Sequence, residues 1–384
     1  MVDRAPRLLM AGGGSGGHAI PALAVAEVLK IRHPDSNVLF VGTSRGVESR
    51  VIPAAGFALR TIPVIGLKRA LHPDLLRFPL VLLRGLVEAL RTVLEFRPDL
   101  VMCTGGFVSG PVGFAAWLCG RPLLLHESNL LPGLTIRLLS RFADGVLFGL
   151  AGAERKTGGR FKLVVGNPVR SGVADLSSAE ARTRFGMASD RQTLLVIGGS
   201  QGARSINLAI EAALADLVSA GWQVLWQTGK LDRERAERVS ASLAEVTVAE
   251  FIDEMPAAYR SADLALTRSG AMTLTELRLN ALPAILVPLA TSAENHQEVN
   301  ARAMEREGWA RVILQRELNG PQLVAVVGSL TEDSERLMQM SEVSGSVRVG
   351  GAAERIVDVM GCFLGGGKAK SVGTTDEHSM DTDG

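Results

Sequence analysis

The chain has 384 residues, 47% of them hydrophobic and 21% charged, which indicates a globular protein long enough for two hydrophobic cores. A formal net charge of +1 provides no general attraction to nucleic acid, and no run of about 18 uncharged apolar residues would span a bilayer. The three cysteines, Cys103, Cys119 and Cys362, are too far apart for a metal-binding motif, which favours a reducing compartment.

Short apolar runs alternate with helical patterns along the first half of the chain. We predict buried parallel strands at Arg7–Ala11, Asn37–Thr43, Asp99–Thr104, Pro122–His126 and Gly145–Phe148. Helices are predicted between them, including Ala22–Ile31 and Leu80–Phe96. This βαβα order predicts a parallel sheet with helices on both faces.

The same pattern restarts after the polar stretch 175–190. Further strands are predicted at Gln192–Ile197, Gln223–Gln227, Thr247–Phe251, Asp263–Thr267 and Ala284–Pro288. Each half opens with a strand, a glycine cluster and a helix, as LLMAGGGSGGH and LLVIGGSQGAR. We therefore predict an α/β protein with two Rossmann-like domains, 1–170 and 171–364, leaving open whether the C-terminal helix returns to the first domain.

The two ends of the chain carry no predicted function. The N-terminal MVDRAPRLLMAGGG has too short an apolar stretch for a secretory signal, so we expect a cytoplasmic protein attached at most to a membrane surface. Residues 365–384 contain no large apolar residue except Met380 and are predicted to be disordered.

The glycine cluster from Gly12 to His18 follows a strand and precedes a helix, an arrangement that suits an anion. Glycines let the backbone approach a phosphate, and a helix N-terminus supplies free amides. The alternative is a tight structural turn, with His18 as a capping residue. A second cluster, Gly198–Arg204, has the same features, and two such loops favour a nucleotide diphosphate.

Three further polar clusters follow predicted strands of the first half. Gly105–Pro111 suits an acceptor phosphate or a sharp strand-to-helix turn. The four polar residues His126-Glu127-Ser128-Asn129 indicate a ligand site. Arg170, in the segment Gly166–Arg170, suits either bidentate bonds to phosphate or a surface ion pair.

Two clusters in the second half have groups that suit a nucleotide sugar. In Arg268–Glu276 a predicted strand ends and a helix begins, and Glu276 is placed either to accept the hydroxyls of a ribose or simply to pair with the helix dipole. Asn295–Ala301 offers amides for the hydroxyls of a sugar.

A stretch of apolar and basic residues, 66–91, includes Arg77, Arg84 and Arg91. Such a surface can lie on an anionic membrane. For Val81–Phe96 we favour the alternative, an ordinary buried helix whose arginines face water.

Taken in order, GGSGGH, GGFVSGP, HESN, GNPVR, GGSQGA, FIDEM, RSGAMTLTE and NHQEVNA resemble the MurG glycosyltransferases. That family adds N-acetylglucosamine to the lipid-linked muramyl-pentapeptide precursor of peptidoglycan. The resemblance implies the GT-B fold, in which two Rossmann-like domains face each other across a cleft. It also implies peripheral attachment to the inner face of the cytoplasmic membrane through the apolar-basic stretch near Leu67–Phe78, and it allows other cell-wall synthesis proteins as partners.

The resemblance also implies roles for individual residues. Ile252 would contact uracil, Glu276 the ribose, and Gln297 with His296 the sugar hydroxyls. The implied UDP-N-acetylglucosamine site comprises Ser15, Gly16, Gly17, Asn129, Arg170, Ser200, Ile252, Ala271, Met272, Thr273, Glu276, His296 and Gln297. The implied acceptor site comprises Gly14, Gly105, Gly106, Ser109 and Gly110.

For the chemistry, the family implies inversion in a single displacement, in which the C4 hydroxyl of the muramyl sugar attacks C1 of the donor. His18 is the first candidate for the general base, and Glu127 the second. The sequence contains no Asp-x-Asp metal motif, and we predict neither a metal nor a cofactor.

Several other functions fit parts of this pattern. A diacylglycerol glucosyltransferase or a UDP-sugar epimerase would share the architecture, and a protein that only binds sugar nucleotides would share the loops. A NAD-dependent oxidoreductase needs an acidic residue at the end of its second strand to bind a ribose. Here that strand ends in Val41-Gly42-Thr43-Ser44, which counts against an oxidoreductase.

Overall fold

The computed structural model describes residues 5–65, 74–170, 175–199, 201–331, 334–346 and 350–364. These residues form two compact units. The first contains the residues up to Ser128, Pro132–Pro168 and those from Gly351 onward; the second contains Asn129–Leu131 and Val169–Gly350. Our predictions for the tail 365–384 and for the start of the apolar-basic stretch, 66–73, lie outside the described residues.

The first unit contains a parallel sheet flanked by helices. Its strands are β1 (Arg7–Ala11), β2 (Asn37–Gly42), β3 (Ala58–Thr61), β4 (Leu100–Cys103), β5 (Leu123–Glu127), β6 (Gly145–Phe148) and β7 (Lys162–Val164). Its first helices are α1 (Gly16–Arg32), α2 (Glu48–Ala54), α3 (Asp74–Phe96), α4 (Gly106–Leu118) and α5 (Leu134–Leu139). The strand order is β3-β2-β1-β4-β5-β6-β7, so the direction of winding reverses between β1 and β4.

The second unit repeats this plan with six parallel strands. They are β8 (Thr193–Ile197), β9 (Gln223–Gln227), β10 (Val246–Ala249), β11 (Leu264–Thr267), β12 (Ala284–Leu286) and β13 (Ala310–Val312). The helices are α6 (Ser178–Arg184), α7 (Arg204–Ser219), α8 (Arg233–Ser240), α9 (Met255–Ser261), α10 (Ala271–Leu279), α11 (His296–Glu307), α12 (Gly320–Thr331) and α13 (Ser334–Gly345). The order β10-β9-β8-β11-β12-β13 is that of a Rossmann fold. The predicted α/β class with two Rossmann-like sheets is confirmed.

The last helix, α14 (Ala352–Leu364), belongs to the first unit. Ile356 and Met360 are fully buried in the hydrophobic core that α1 and the strands of this unit form. An ion pair of 2.5 Å between Arg32 and Asp358 joins the exposed sides of α1 and α14. The apolar face of α14 therefore completes the core of the first unit.

Three strands were not predicted from the sequence, namely β3, β7 and β13. The predicted strands were those with a buried apolar run. β3, β7 and β13 have no such run, because they are short, lie at sheet edges and are partly exposed. Helix α1 also begins six residues before the predicted Ala22. The prediction omitted this first part of the helix because Gly16, Gly17 and Pro21 have low intrinsic helix propensity.

The prediction that Val81–Phe96 is an ordinary buried helix is wrong for much of its surface. Only a narrow stripe of α3, which includes Ala89 and Val93, is buried. Large apolar side chains within the same range are exposed, with Leu82 at 45%, Leu83 at 58% and Leu94 at 61%. Among the helices described, none combines the length and hydropathy needed to cross a membrane.

Candidate active site

In the first unit, the two candidate loops follow the adjacent strands β1 and β4, where the sheet order reverses. Ligands of such sheets bind at this position, beyond the carboxyl ends of the strands. Ser15 is the N-cap of α1, and Gly16, Gly17 and His18 form its first turn. Because the first amides of a helix have no intrahelical acceptor, this turn offers donors to an anion.

The imidazole of His18 lies against the loop that follows β4. A Cβ atom at Gly105 would lie 2.8 Å from His18 Cδ2, and one at Gly106 would lie 3.2 Å from His18 Nδ1. Both glycines have positive φ angles, 106° and 77°, which other residues rarely adopt. Ser15 Oγ is 3.1 Å from His18 Nδ1, so the structure brings Ser15, His18, Gly105 and Gly106 together.

The other predicted acceptor residues have different surroundings. Ser109 is fully buried; its Oγ accepts a hydrogen bond from the Gly105 amide at 3.1 Å and lies 2.7 Å from Gly105 O. It therefore fixes the conformation of the loop. Gly14, with a φ angle of 89°, is exposed before α1, and Gly110 lies within α4.

Glu127, the second candidate base, lies at the end of β5 and is buried. Its Oε2 accepts a 2.9 Å hydrogen bond from the Gly133 amide. The neighbouring His126 is fully buried, with its Nε2 3.1 Å from Gly166 O. Burial lowers the pKa of His126 to about 4, although the hydrogen bond to Gly166 acts in the opposite direction. His126 is therefore neutral near pH 7.

In the second unit, the predicted donor residues follow the carboxyl ends of neighbouring strands. Gln227, the last residue of β9, links two of these segments. Its Oε1 accepts a 3.1 Å hydrogen bond from the Ile252 amide, and its Nε2 donates to Gly199 O at 3.2 Å. Ile252 and the second glycine loop are thereby fixed to one side chain. Ser200 lies outside the described residues.

Ala271, Met272 and Thr273 form the first turn of α10, the helix that follows the carboxyl end of β11. Two turns into this helix, Glu276 Oε2 accepts a 2.8 Å hydrogen bond from Tyr259 Oη. Burial raises the pKa of Glu276 above its ordinary value, and the hydrogen bond from Tyr259 reduces that shift. The carboxylate is thus a partly desolvated acceptor, which suits hydroxyl groups of a ligand.

Asn300, in α11, holds residues 129 and 130 by hydrogen bonds of its side chain. Its Nδ2 donates to Asn129 Oδ1 at 3.1 Å, and its Oδ1 accepts from the Leu130 amide at 3.1 Å. Gln297 lies one turn earlier in α11; its carbonyl accepts a 2.8 Å hydrogen bond from Ser269 Oγ. The structure therefore brings Asn129 and Gln297 together with the segment that leads into α10.

Two other predicted donor residues, His296 and Arg170, are not part of the hydrogen bonds described for Asn300 and Gln297. His296 opens α11, and its Nε2 is 4.0 Å from Glu294 Oε2. Residues 294 and 295 before it have positive φ angles of 49° and 58°, which set the direction in which α11 starts. Arg170 is exposed near the first residues of the second unit.

The groups that each unit offers at its glycine loops suit anions and hydroxyls. Helix N-termini of α1, α7 and α10 follow glycine-containing loops. In the described part of the chain, no group of three or more His, Cys, Asp or Glu residues is arranged to hold a metal ion.

Gln227 and Tyr259 were not predicted from the sequence as site residues, and Asn300 was predicted only as part of the segment Asn295–Ala301. Each acts on a partner from another segment, so only the fold shows its role. A partial signal was available for Asn300, since it follows Gln297 by three residues and therefore shares its helix face.

Comparison with known protein families matches both units. Residues 8–148 match the Glycosyltransferase family 28 N-terminal domain, and residues 193–356 match the Glycosyltransferase family 28 C-terminal domain. These matches include the glycine loops after β1, β4 and β8 and the segment that leads from β11 into α10.

Named relatives align over nearly the whole chain. A protein of Desulfitobacterium hafniense is 40% identical over 361 residues, covering 92% of this chain and 98% of that protein. One of Anaeromyxobacter is 42% identical over 357 residues, covering 92% of both. Both are named UDP-N-acetylglucosamine--N-acetylmuramyl-(pentapeptide) pyrophosphoryl-undecaprenol N-acetylglucosamine transferase.

Solved structures show the same fold. The crystal structure of Acinetobacter baumannii MurG superposes with a TM-score of 0.76 at 27% identity, covering 93% of this chain and 99% of that one. A putative UDP-N-acetylglucosamine 2-epimerase from Listeria monocytogenes gives a TM-score of 0.69 at 16% identity, over 93% of this chain and 96% of that one. The second likeness concerns the fold alone.

Proposed function

This chain belongs to glycosyltransferase family 28 and, within it, to the MurG enzymes, and we propose from that premise the reaction that it catalyses. The protein transfers N-acetylglucosamine from UDP-N-acetylglucosamine to the C4 hydroxyl of the lipid-linked N-acetylmuramyl-pentapeptide. The observation that carries this assignment is the 40–42% identity to transferases of that name across 92% of the chain.

In this proposal, the second unit binds the donor. Ile252, held by Gln227, contacts the uracil, and Glu276, held by Tyr259, accepts hydrogen bonds from the ribose. The first turn of α10 binds the diphosphate with its free amides. This interaction becomes stronger as negative charge builds up on the leaving UDP. Gln297 and His296 select the sugar, and Arg170 adds a positive charge.

The first unit binds the acceptor, with Gly14, Gly105, Gly106 and Gly110 close to its phosphates. His18 removes the proton from the C4 hydroxyl as this oxygen bonds to C1 of the donor and the bond from C1 to UDP breaks. For Nε2 to take that proton, Nδ1 must carry the ring hydrogen and donate it to Ser15 Oγ, 3.1 Å away. Ser15 thus selects the reactive tautomer.

We also propose that the first unit rests on the cytoplasmic face of the membrane, where a lipid-linked acceptor is anchored. An aromatic cluster on α4 and the residues after α5 supports this, with ring centroids of Trp117 and Phe142 4.7 Å apart. Trp117, Leu138 and Phe142 are exposed, as is Arg141 beside them. Apolar side chains flanked by arginine suit the interface of an anionic bilayer.

The direct test measures UDP release from UDP-N-acetylglucosamine, with and without a short-chain lipid-linked muramyl-pentapeptide. We expect release that depends on the acceptor and saturates with it. Release at the same rate without acceptor would remove the acceptor assignment, and binding of the donor without any release would indicate a non-catalytic protein.

A further inference from the structure

A buried carboxylate lies beside the first glycine loop, at the start of α2. Glu48 is fully buried, and it makes no ion pair with any described residue. Its Oε1 accepts hydrogen bonds from Thr43 N at 2.9 Å and Thr43 Oγ1 at 2.7 Å, and its Oε2 accepts one from the Gly14 amide at 3.0 Å. Burial alone would raise the pKa of Glu48, but these hydrogen bonds together lower it below its ordinary value.

Three glycines from separate segments make room for this carboxylate. A Cβ atom at Gly13, Gly42 or Gly46 would overlap the side chain of Glu48. These glycines lie after β1, at the end of β2 and before α2, so the Glu48 side chain fills the space where the three segments meet. A buried charge is tolerated only where hydrogen bonds replace its hydration, as they do here.

The bond to Gly14 reaches the residue immediately before Ser15. At the other end of the same short segment, Thr104 Oγ1 donates a 2.7 Å hydrogen bond to His18 O. Ser15 and His18 are therefore held between two anchors, Glu48 at Gly14 and Thr104 at His18. The 3.1 Å contact between Ser15 Oγ and His18 Nδ1 lies inside this clamped segment.

We propose that Glu48 is a positioning residue for the transfer reaction: its hydrogen bond to the Gly14 amide fixes the loop in which Ser15 orients the His18 ring. This inference rests on the proposed function, in which His18 accepts the proton of the acceptor hydroxyl. Glu48 itself touches no reacting atom, and its effect passes through the loop.

The requirement is for a carboxylate, because three donors converge on its two oxygens. In a Glu48→Gln variant, the amide oxygen satisfies the two donors of Thr43, and the amide nitrogen then faces the Gly14 N–H. Two donors in contact repel, so the loop moves away from its position at Gly14. A displacement of about 1 Å at a reacting group lowers kcat by roughly 100-fold.

The experiment compares kcat for acceptor-dependent UDP release in four proteins: wild type, Glu48→Gln, His18→Ala and the double variant. We expect Glu48→Gln to lower kcat about 10- to 100-fold in the wild-type background and by less than about twofold in the His18→Ala background. UDP affinity, measured by calorimetry, stays within about twofold of wild type, because the proposed uracil and ribose contacts lie in the second unit.

A matched control separates positioning from stability. Ile52→Val removes one methyl group from the buried side of α2 and leaves the carboxylate in place. We expect it to lower the melting temperature while kcat stays near the wild-type value. If Glu48→Gln does not fold, Glu48→Asp, which withdraws the carboxylate by one methylene, replaces it in the same comparison.

The outcomes separate the two proposals. Equal losses from the Glu48 substitution in both backgrounds, or a kcat that follows melting temperature across all variants, would overturn the role of Glu48 alone. Absence of acceptor-dependent release from the wild type would overturn the proposed function and, with it, this inference.

Discussion

Tyr259 Oη donates a 2.8 Å hydrogen bond to Glu276 Oε2 and so joins α9 to α10 in the second unit. Tyr259 is the only tyrosine of the chain and is almost fully buried. Burial and the neighbouring carboxylate raise its pKa well above 10, so the phenol remains a donor throughout the neutral range. The bond fixes the orientation of the carboxylate that we assign to the ribose of the donor.

Removal of this bond is expected to weaken donor binding. In Tyr259→Phe, Glu276 loses a hydrogen bond of the kind that contributes about 1.5–3 kcal/mol to a charged acceptor. We expect KM for UDP-N-acetylglucosamine to rise roughly tenfold while KM for the lipid acceptor stays unchanged. Steady-state kinetics with each substrate varied in turn measures both values.

The same substitution is also expected to change how donor affinity depends on pH. The hydrogen bond from Tyr259 lowers the pKa of Glu276, so its removal raises that pKa further. Donor binding needs Glu276 in its ionised form. As the pH is lowered, the variant therefore loses donor affinity at a higher pH than the wild type does. If the variant loses stability but keeps the wild-type donor KM at every pH, Tyr259 serves the fold alone.

His18 is expected to control kcat. Loss of a general base lowers turnover about 10²- to 10⁴-fold, so we expect a loss in that range for His18→Ala. UDP affinity should not change, because the contacts proposed above for the uracil, the ribose and the diphosphate lie in the second unit. His33→Ala is the matched control, since His33 is an exposed histidine at the end of the same helix. Near-normal turnover of His18→Ala would exclude His18 as the base.

The buried His126 makes the protein sensitive to acid. Its pKa is about 4 in the folded protein against an ordinary value of 6.5, so the unfolded chain binds the proton first. Stability is therefore complete above about pH 6.5 and falls as the pH approaches 4, with a loss of about 2 kcal/mol expected at pH 5.

His126→Gln keeps a donor for Gly166 O but cannot be protonated. We expect its free energy of unfolding in urea to change less between pH 7 and pH 5 than that of the wild type. The exposed residue His33 again supplies the control, because His33→Gln should keep the full acid sensitivity. Equal pH dependence in His126→Gln and the wild type would contradict this account.

Much of the fold follows from local patterns in the sequence. Buried apolar runs bounded by glycine or polar residues defined β1, β6 and β9 to the residue. The edge strands β3 and β7 were not predicted, because their partly exposed residues contain no such run. They are extended because they pair with β2 and β6, respectively. The return of α14 to the first unit depends on packing between residues more than 300 positions apart.

The candidate site divides in the same way. Glycine loops and polar strand ends are local signals, and they pointed to His18, Glu276 and Gln297. The contacts that orient those residues are long-range: Tyr259 is 17 positions from Glu276, and Asn129 is 171 from Asn300. No spacing rule connects such residues, because only the tertiary fold brings them together.

Membrane attachment is expected to depend on the exposed side chains of Trp117 in α4, Leu138 in α5 and Phe142 after α5. When the protein binds a membrane, each aromatic side chain that enters the bilayer interface loses contact with water and gains contact with lipid. We expect Trp117→Glu combined with Leu138→Glu to reduce flotation with vesicles that contain anionic phospholipid. Turnover of a water-soluble acceptor analogue should stay near the wild-type value. Leu231→Glu, at an exposed leucine of the second unit, is the control. Equal flotation of all three proteins would place the contact elsewhere.

The central claim is transfer of the sugar itself, and the most direct measurement follows its atoms. UDP-N-acetylglucosamine labelled in the acetyl group is incubated with the enzyme and the lipid-linked muramyl-pentapeptide, and the lipid is then extracted into organic solvent. The account predicts one labelled sugar in the lipid fraction for each UDP released, with the label absent when acceptor is omitted. UDP release that leaves the label in water as free N-acetylglucosamine would contradict it.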